Sequence, residues 1–359
     1  MRILSIAYPF APVASDSVGG AEQILLQLDR ALIDAGHDSI VMACAGSGIT
    51  GLLIETPAIR TEITPELRAR IYARVREIVS KTVNRFDPDL VHMHGVDFYQ
   101  YLPTDDRPVL VTLHLPVSFY PDWIFQLQRL HIYLVCVSKS QYRTCPPSAI
   151  TLSPIENGVP LPFEQPVSKE DYAVCLSRIA PEKNTHVALA ASREARIRCF
   201  LAGNVFGYRE HQQYHKSVVM PLLDRERQFI GAVDEQEKWR LLSKARCLLQ
   251  PSLAPETSSL VAMEALACGT PVIAFPSGAL PEIIESGKTG FLVRSATEMA
   301  RAISTADRIR PQDCLDAARA RFSVGRMTRE YIELYEELVS GTPEIHGQYI
   351  SGRTASVGT

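Results

Sequence analysis

"ETSSLVAMEALACGTPVIAF", residues Glu256 to Phe275, joins two glutamates to one short helix and then to an apolar strand. Thr257 or Ser258 can cap a helix running to about Ala267, and Gly269 can terminate it. "VIAF" follows at once as a strand, and a helix feeding so directly into a short apolar strand implies a parallel sheet. Glu264 is the odd residue. It sits among Leu260, Val261, Ala262, Met263, Ala265, Leu266 and Ala267, where a carboxylate is rarely buried without a partner. Either it is a solvated helix residue or it holds something.

The same alternation extends through the chain. "RILSIAY", "SIVMAC", "LVHMH", "VLVTLH" and "IYLVCVS" read as strands, with "GGAEQILLQLDRALIDAGH" and "ELRARIYARVREIVSKTVNRF" as helices between them. "PIENGVPLPFEQPVS", Pro154 to Ser168, carries four prolines and reads as a linker. A second cycle follows with "YAVCLSRI", a helix near His186 to Glu194, "IRCFLAG", "RQFIGAV", "DEQEKWRLLSKA", "RCLLQPS" and the opening stretch. The predicted fold is α/β: two Rossmann-like, doubly wound domains facing a cleft, over residues 1–160 and 161–322. The long helix "VGRMTREYIELYEELVS", within 323–340, is expected to cross back to the N-terminal domain. A tail over 341–359, rich in Gly, Ser and Thr, is expected to be mobile.

Composition narrows the function. At 359 residues the chain exceeds one ordinary core. A net charge of −3 argues against a nucleic-acid partner. No run of about 18 uncharged apolar residues suggests a membrane span, and "MRILSIAYPFAPV" is too weak for a signal peptide. The eight cysteines form no C-x-x-C pair and read as small buried hydrophobes in a reducing cytoplasm.

In open α/β sheets ligands bind beyond the carboxyl ends of the strands. Neither half carries G-x-G-x-x-G. Gly19 and Gly20 in "SVGGAEQ" allow close backbone approach ahead of a helix, although a plain tight turn explains them equally. Arg178 and Lys183 in "LSRIAPEKN" follow a strand end and suit a diphosphate, or are two solvated loop cations. The amides of Ser259, Leu260 and Val261 offer a second anion site at a helix N-terminus. Glu256 and Glu264 are at most roughly 12 Å apart along the axis. That span fits an anion with a hydroxylated group on either side, the layout of hexose, diphosphate and ribose in a nucleotide sugar. Metal ligands cluster more closely, so a metal site fits less well.

With these residues the chain resembles the retaining family-4 glycosyltransferases of GT-B fold. The resemblance runs from residue 1 to about 340 and rests on "GGAEQ", "PDLVHMHG", "VTLH", "VSKS", "ENGV", "SRIAPEK", "FIGAV", the E-x7-E block with "ALACGTPVIAF", "GALPEII" and "GKTGFLV". It implies that Glu256 holds the transferred hexose and Glu264 the ribose. Arg178 and Lys183 bind the diphosphate and stabilise the leaving group, and Gly20 brings backbone to the phosphates. His114 sits by the reacting centre, Gly231 to Val233 line the base pocket, and Asn157 and Ser138 organise the hinge and cleft floor. His92 and His94 are read as structural or acceptor-side rather than as metal ligands. The donor is expected to be a UDP-sugar such as UDP-glucose, bound mainly by the C-terminal domain, with no metal or other cofactor. Transfer is expected to retain anomeric configuration by a same-face route in which the leaving phosphate helps deprotonate the acceptor.

Two positions depart from the family: Ser258 replaces a usual Phe and Ser177 a usual Gly. A double displacement needs a carboxylate nucleophile in the first half, and Asp97, Asp105, Asp106 and Asp122 lack an evident activating context. The acceptor is expected to be a small molecule or glycan, with a faint likeness to enzymes acting on pterins. Phe119, Tyr120, Trp123, Phe125 and Tyr133 offer faces for stacking, or simply pack under a loop. The sequence shows no strongly basic amphipathic helix for a membrane surface. A GT-B nucleotide-sugar epimerase and a silent nucleotide-sugar-binding protein are the alternatives.

Overall fold

The computed structural model describes residues 1–14, 19–59, 63–127, 131–148 and 150–341. The rest of the expected mobile tail lies outside the described residues. The chain divides into two compact units. The first comprises Met1–Val137, Tyr142–Ile155 and the chain from Thr328; the second comprises Ser138–Gln141 and Glu156–Met327.

Each unit holds one six-stranded parallel sheet. In the first, β1 (Arg2–Ile6), β2 (Asp38–Cys44), β3 (Leu52–Thr56), β4 (Leu90–Met93), β5 (Val109–Leu113) and β6 (Ile132–Cys136) are ordered β3-β2-β1-β4-β5-β6. In the second, β7 (Tyr172–Leu176), β8 (Arg198–Ala202), β9 (Arg227–Gly231), β10 (Cys247–Gln250), β11 (Val272–Ala274) and β12 (Gly290–Leu292) are ordered β12-β11-β10-β7-β8-β9. Read from the opposite edge, the second order repeats the first. Both are doubly wound Rossmann-like sheets, as predicted. Central strands such as β4 and β7 are buried throughout, so β7 reads as an unbroken apolar run and β4 as one interrupted only by His92. β3 carries no such run. It is an edge strand with only Thr56 buried, and "LLIET" gives little sequence signal.

The strand order reverses between β1 and β4 in one sheet and between β7 and β10 in the other. Loops leaving adjacent strands there diverge and open a crevice at the carboxyl edge. The helix Val324–Ser340 crosses back to the first unit: Tyr331 and Tyr335 are fully buried, and the Tyr335 hydroxyl lies 2.7 Å from His92 Nδ1 on β4. Thr112 on β5 completes the chain of contacts, 2.8 Å from His92 Nε2 and 3.1 Å from the Tyr331 hydroxyl.

Candidate active site

In the second unit the two loops at the point of reversal carry Lys183 and Glu256. After β7 the chain runs on beside the end of β8, where Ser177 N donates to Ala202 O and Ile179 N to Asn204 O. Gly203 opposes it with φ +143, and a Cβ there would lie 1.8 Å from Ser177 O. The turn Pro181–Lys183 ends at Asn184, whose left-handed backbone reverses the chain. Its side-chain amide donates to Pro251 O at 3.1 Å, and Leu253 N donates to Glu182 O at 2.9 Å, so the two loops are tied together. Across them Lys183 Nζ meets Glu256 Oε1 at 2.7 Å, with the side chains 18% and 11% exposed. Glu256 is held from behind by Ala279 N, which donates to its carbonyl at 2.7 Å. Gly278 permits this approach: its φ is +57, and a Cβ would sit 2.1 Å from Glu256 O. Arg178, half-exposed, lies 3.5 Å from Glu182.

The helix after Glu256 spans Leu260–Ala267. Its N-cap residue is Ser259 rather than Thr257 or Ser258. The Ser259 hydroxyl makes no cap bond and pairs instead with the Gln250 side chain at the end of β10. The Ser259 side chain does not cap the first-turn amides of Leu260 and Val261, and the terminus carries the helix's partial positive charge. The Ser258 hydroxyl is buried without a hydrogen-bond partner.

Glu264 proves to be buried, at 4% exposed, and has a partner: Lys238 Nζ at 2.5 Å. Burial raises its carboxyl above the usual range, and Lys238 acts in the opposite direction. Lys238 comes from the helix Glu235–Lys244, capped by the Asp234 side chain directly after the Gly231 to Val233 stretch. Gly231 closes β9 and its carbonyl accepts from Gly203 N at 2.8 Å, while half-buried Val233 packs on the core. Lys169 binds the far ends of both helices. Its ammonium donates to Ser243 O, Cys268 O and Thr270 Oγ1 at 2.7, 3.1 and 2.6 Å.

Gly19, Gly20, His92, His94 and His114 lie in the first unit, whereas Ser138 and Asn157 group with the second. Gly19 caps the helix Gly20–Asp34, and the Glu22 side chain occupies the space over it, its carboxyl raised above the usual range by burial. His114 follows β5 and its Nε2 lies 3.0 Å from His94 Nδ1, with the rings stacked. Burial holds His92, His94 and His114 on the neutral side of their usual titration. Of the four aspartates weighed as nucleophiles, Asp97 alone is buried. Burial raises its carboxyl, while the Tyr101 hydroxyl, donating to Oδ1 at 2.6 Å, acts the other way. Asp105 is paired with Arg107 at 2.6 Å. The aromatic stretch divides: Tyr120 and Phe125 are core, whereas Phe119 and Trp123 are 64% and 51% exposed.

Comparison with known proteins matches both units. Residues 18–146 match the family described as Glycosyltransferase Family 4, and residues 162–319 match Glycosyl transferases group 1. The chain belongs to the family 4 glycosyltransferases. A glycogen synthase of Mycobacterium tuberculosis is 25% identical over 81% of this chain and 81% of its own. A 2-deoxystreptamine N-acetyl-D-glucosaminyltransferase of Streptomyces fradiae is 23% identical over 90% and 89%. Among solved structures, the sucrose-phosphate synthase from Thermosynechococcus elongatus superposes with a TM-score of 0.78 at 20% identity, covering 95% of this chain and all of the other. Anabaena Alr3699/HepE in complex with UDP-glucose gives 0.72 at 18% identity, covering 94% and 100%. These neighbours share the GT-B fold.

In this family 4 glycosyltransferase the arrangement around Lys183, Glu256 and Glu264 is partly legible in the sequence. The E-x7-E block and Arg178/Lys183 were visible as motifs. Lys238, Gly278 and Asn184 were not, because each acts on a residue far away in sequence. A Lys just after an N-capping Asp, in the helix following "GAV", was the one available signal for Lys238. Among the described residues no group of His, Cys, Asp or Glu is arranged to hold a metal, and no helix is long and apolar enough to cross a membrane.

Proposed function

We propose that this glycosyltransferase moves a hexose from a UDP-sugar, UDP-glucose in the first instance, to a hydroxyl of a small-molecule or glycan acceptor. Transfer retains anomeric configuration and needs no metal. The observation that carries this reading is the Lys183–Glu256 pair at the point of strand reversal, tied by Asn184 and Gly278. Breaking a glycosyl–phosphate bond places charge on the diphosphate. Lys183, Arg178 and the amides of Leu260 and Val261 are the groups to stabilise it, with little reorganisation because the loops are already fixed. Glu256 accepts hydrogen bonds from the hexose and buried Glu264 from the ribose, with Gly231 to Val233 beside the base. The leaving phosphate takes the acceptor proton, so no protein nucleophile is required. His114, neutral in its buried setting, serves as a hydrogen-bonding group at the reacting centre rather than as a cation. The acceptor is supported by the relatives' names, which include glycogen, inositol phosphate and deoxystreptamine enzymes. The bound UDP-glucose of Alr3699/HepE supports the donor.

The test is thermal stabilisation by UDP, GDP, ADP and their sugars, in chelator and then with added magnesium. At 100 times its dissociation constant a ligand adds about 2.7 kcal/mol. A selective, chelator-resistant shift with one UDP-sugar is expected, followed by an α-linked product from an α-linked donor. An inverted product would overturn retention. A UDP-sugar isomerised without acceptor would point to an epimerase, and binding without turnover on broad acceptor panels to a silent binder.

A further inference from the structure

Seven of the eight cysteines are buried, and Cys145 alone is half-buried. Cys145 and Cys136 lie nine positions apart, and their sulfurs are 3.4 Å from each other. Cys136 ends β6, where its carbonyl accepts from Ile155 N at 3.0 Å. Cys145 follows the helix Lys139–Thr144, where its own N donates to Tyr142 O at 3.1 Å. All eight are free thiols, and seven are buried as the sequence suggests; this pair adds a contact between two of them. A thiol contact of this length is an S–H···S hydrogen bond, and a disulfide needs the sulfurs at about 2.05 Å.

We propose that Cys136 and Cys145 form a reversible thiol modification site that hydrogen peroxide converts to a disulfide. Cys145 is the attacking group because it is the more accessible of the two. Its thiolate attacks one peroxide oxygen, the O–O bond breaks, and hydroxide leaves and takes up a proton to become water. The resulting sulfenic acid is then attacked by the Cys136 sulfur. The S–S bond forms, the S–O bond breaks, and a second water leaves with the Cys136 proton. Two thiols are oxidised by two electrons and one peroxide is reduced to two waters. The hydrogen bond from Cys136 to Cys145 favours the thiolate on Cys145, and burial opposes it. The bond closes a loop that contains Ser138–Gln141, the short piece of the first half that groups with the second unit.

The experiment treats the full chain with substoichiometric to modest excess peroxide, quenches with iodoacetamide and measures intact mass and tryptic peptides. The expected result is a Cys136–Cys145 cross-linked peptide two mass units lighter than the sum of its two reduced peptides, with neither cysteine alkylated, and recovery of both thiols with dithiothreitol. Cys145→Ser should keep its mass under mild peroxide. Cys136→Ser should stop at a sulfenic acid on Cys145, trapped by dimedone. The idea is overturned if the wild type shows no such cross-link, if Cys145 passes to sulfinic acid with Cys136 untouched, or if another cysteine reacts first. Cys145→Ala, the milder change at a half-buried position, keeps the test decisive should Cys136→Ser fail to fold.

Discussion

Lys183 and Glu256 form one unit in the resting protein, and that makes their separate roles testable. With the side chains 18% and 11% exposed, removing either partner leaves a largely desolvated charge behind. Lys183→Ala should therefore lower both melting temperature and turnover, the latter by about 10²–10³-fold if the amine stabilises the leaving diphosphate. Combining Lys183→Met with Glu256→Gln removes both charges. Urea unfolding should return toward wild type while turnover stays lost. Near-normal rates in either single variant would sink the site assignment. Gly278→Ala addresses the same pair from behind. A methyl 2.1 Å from Glu256 O at φ +57 must displace that loop, at about 1–3 kcal/mol, with loss of UDP-sugar binding. A wild-type denaturation curve for this variant would show that the close approach is not required. At this scale the sequence revealed the charged groups but not their partners. Glu264 could be seen to need one, since it interrupts an apolar helix. That the partner is Lys238 follows from how two helices pack, which periodicity does not encode.

Elements rather than residues fix the spacing between the two glutamates. The helix Leu260–Ala267 is apolar nearly all round and six of its eight residues are buried, so it needs an anchor at its far end. Lys169 supplies it, donating to carbonyls at the C-termini of that helix and of the helix that carries Lys238. Burial depresses its amine from 10.5 to about 8. Between those two values the unfolded chain binds a proton that the folded protein has released. The folded state therefore gains stability as pH rises from about 8 to about 10.5. Urea denaturation at pH 8 and pH 9.5 should show this rise, and Lys169→Met should reduce it. Equal slopes in both proteins would rule out Lys169 as the source. The elements themselves were well marked in the sequence wherever they are buried on both faces. β3 escaped because it is an edge strand without a continuous apolar run, and the N-cap falls at Ser259, whose hydroxyl makes no cap bond because it pairs with Gln250.

At the scale of the whole molecule the chain is two Rossmann-like units, and its last helix returns to the first of them. The return was legible in position, as a long amphipathic helix after the second sheet closes, but the contacts that fix it were not. They are polar: the Tyr335 hydroxyl meets His92 Nδ1 while Thr112 meets His92 Nε2. Both imidazole nitrogens are thus satisfied in a site where burial keeps the ring neutral. Tyr335→Phe keeps the shape of the helix face and removes one partner. The orphaned nitrogen should cost about 1–3 kcal/mol, read as a lower urea midpoint. The affected residues belong to the first unit and the Lys183–Glu256 pair to the second, so the dissociation constant for a UDP-sugar should hardly change. If stability and nucleotide affinity fall together, the donor site depends on how the last helix is seated, and the two units do not act as separate binding modules. If only stability falls, the crossing helix serves the first unit's core and UDP-sugar binding does not depend on how it is seated.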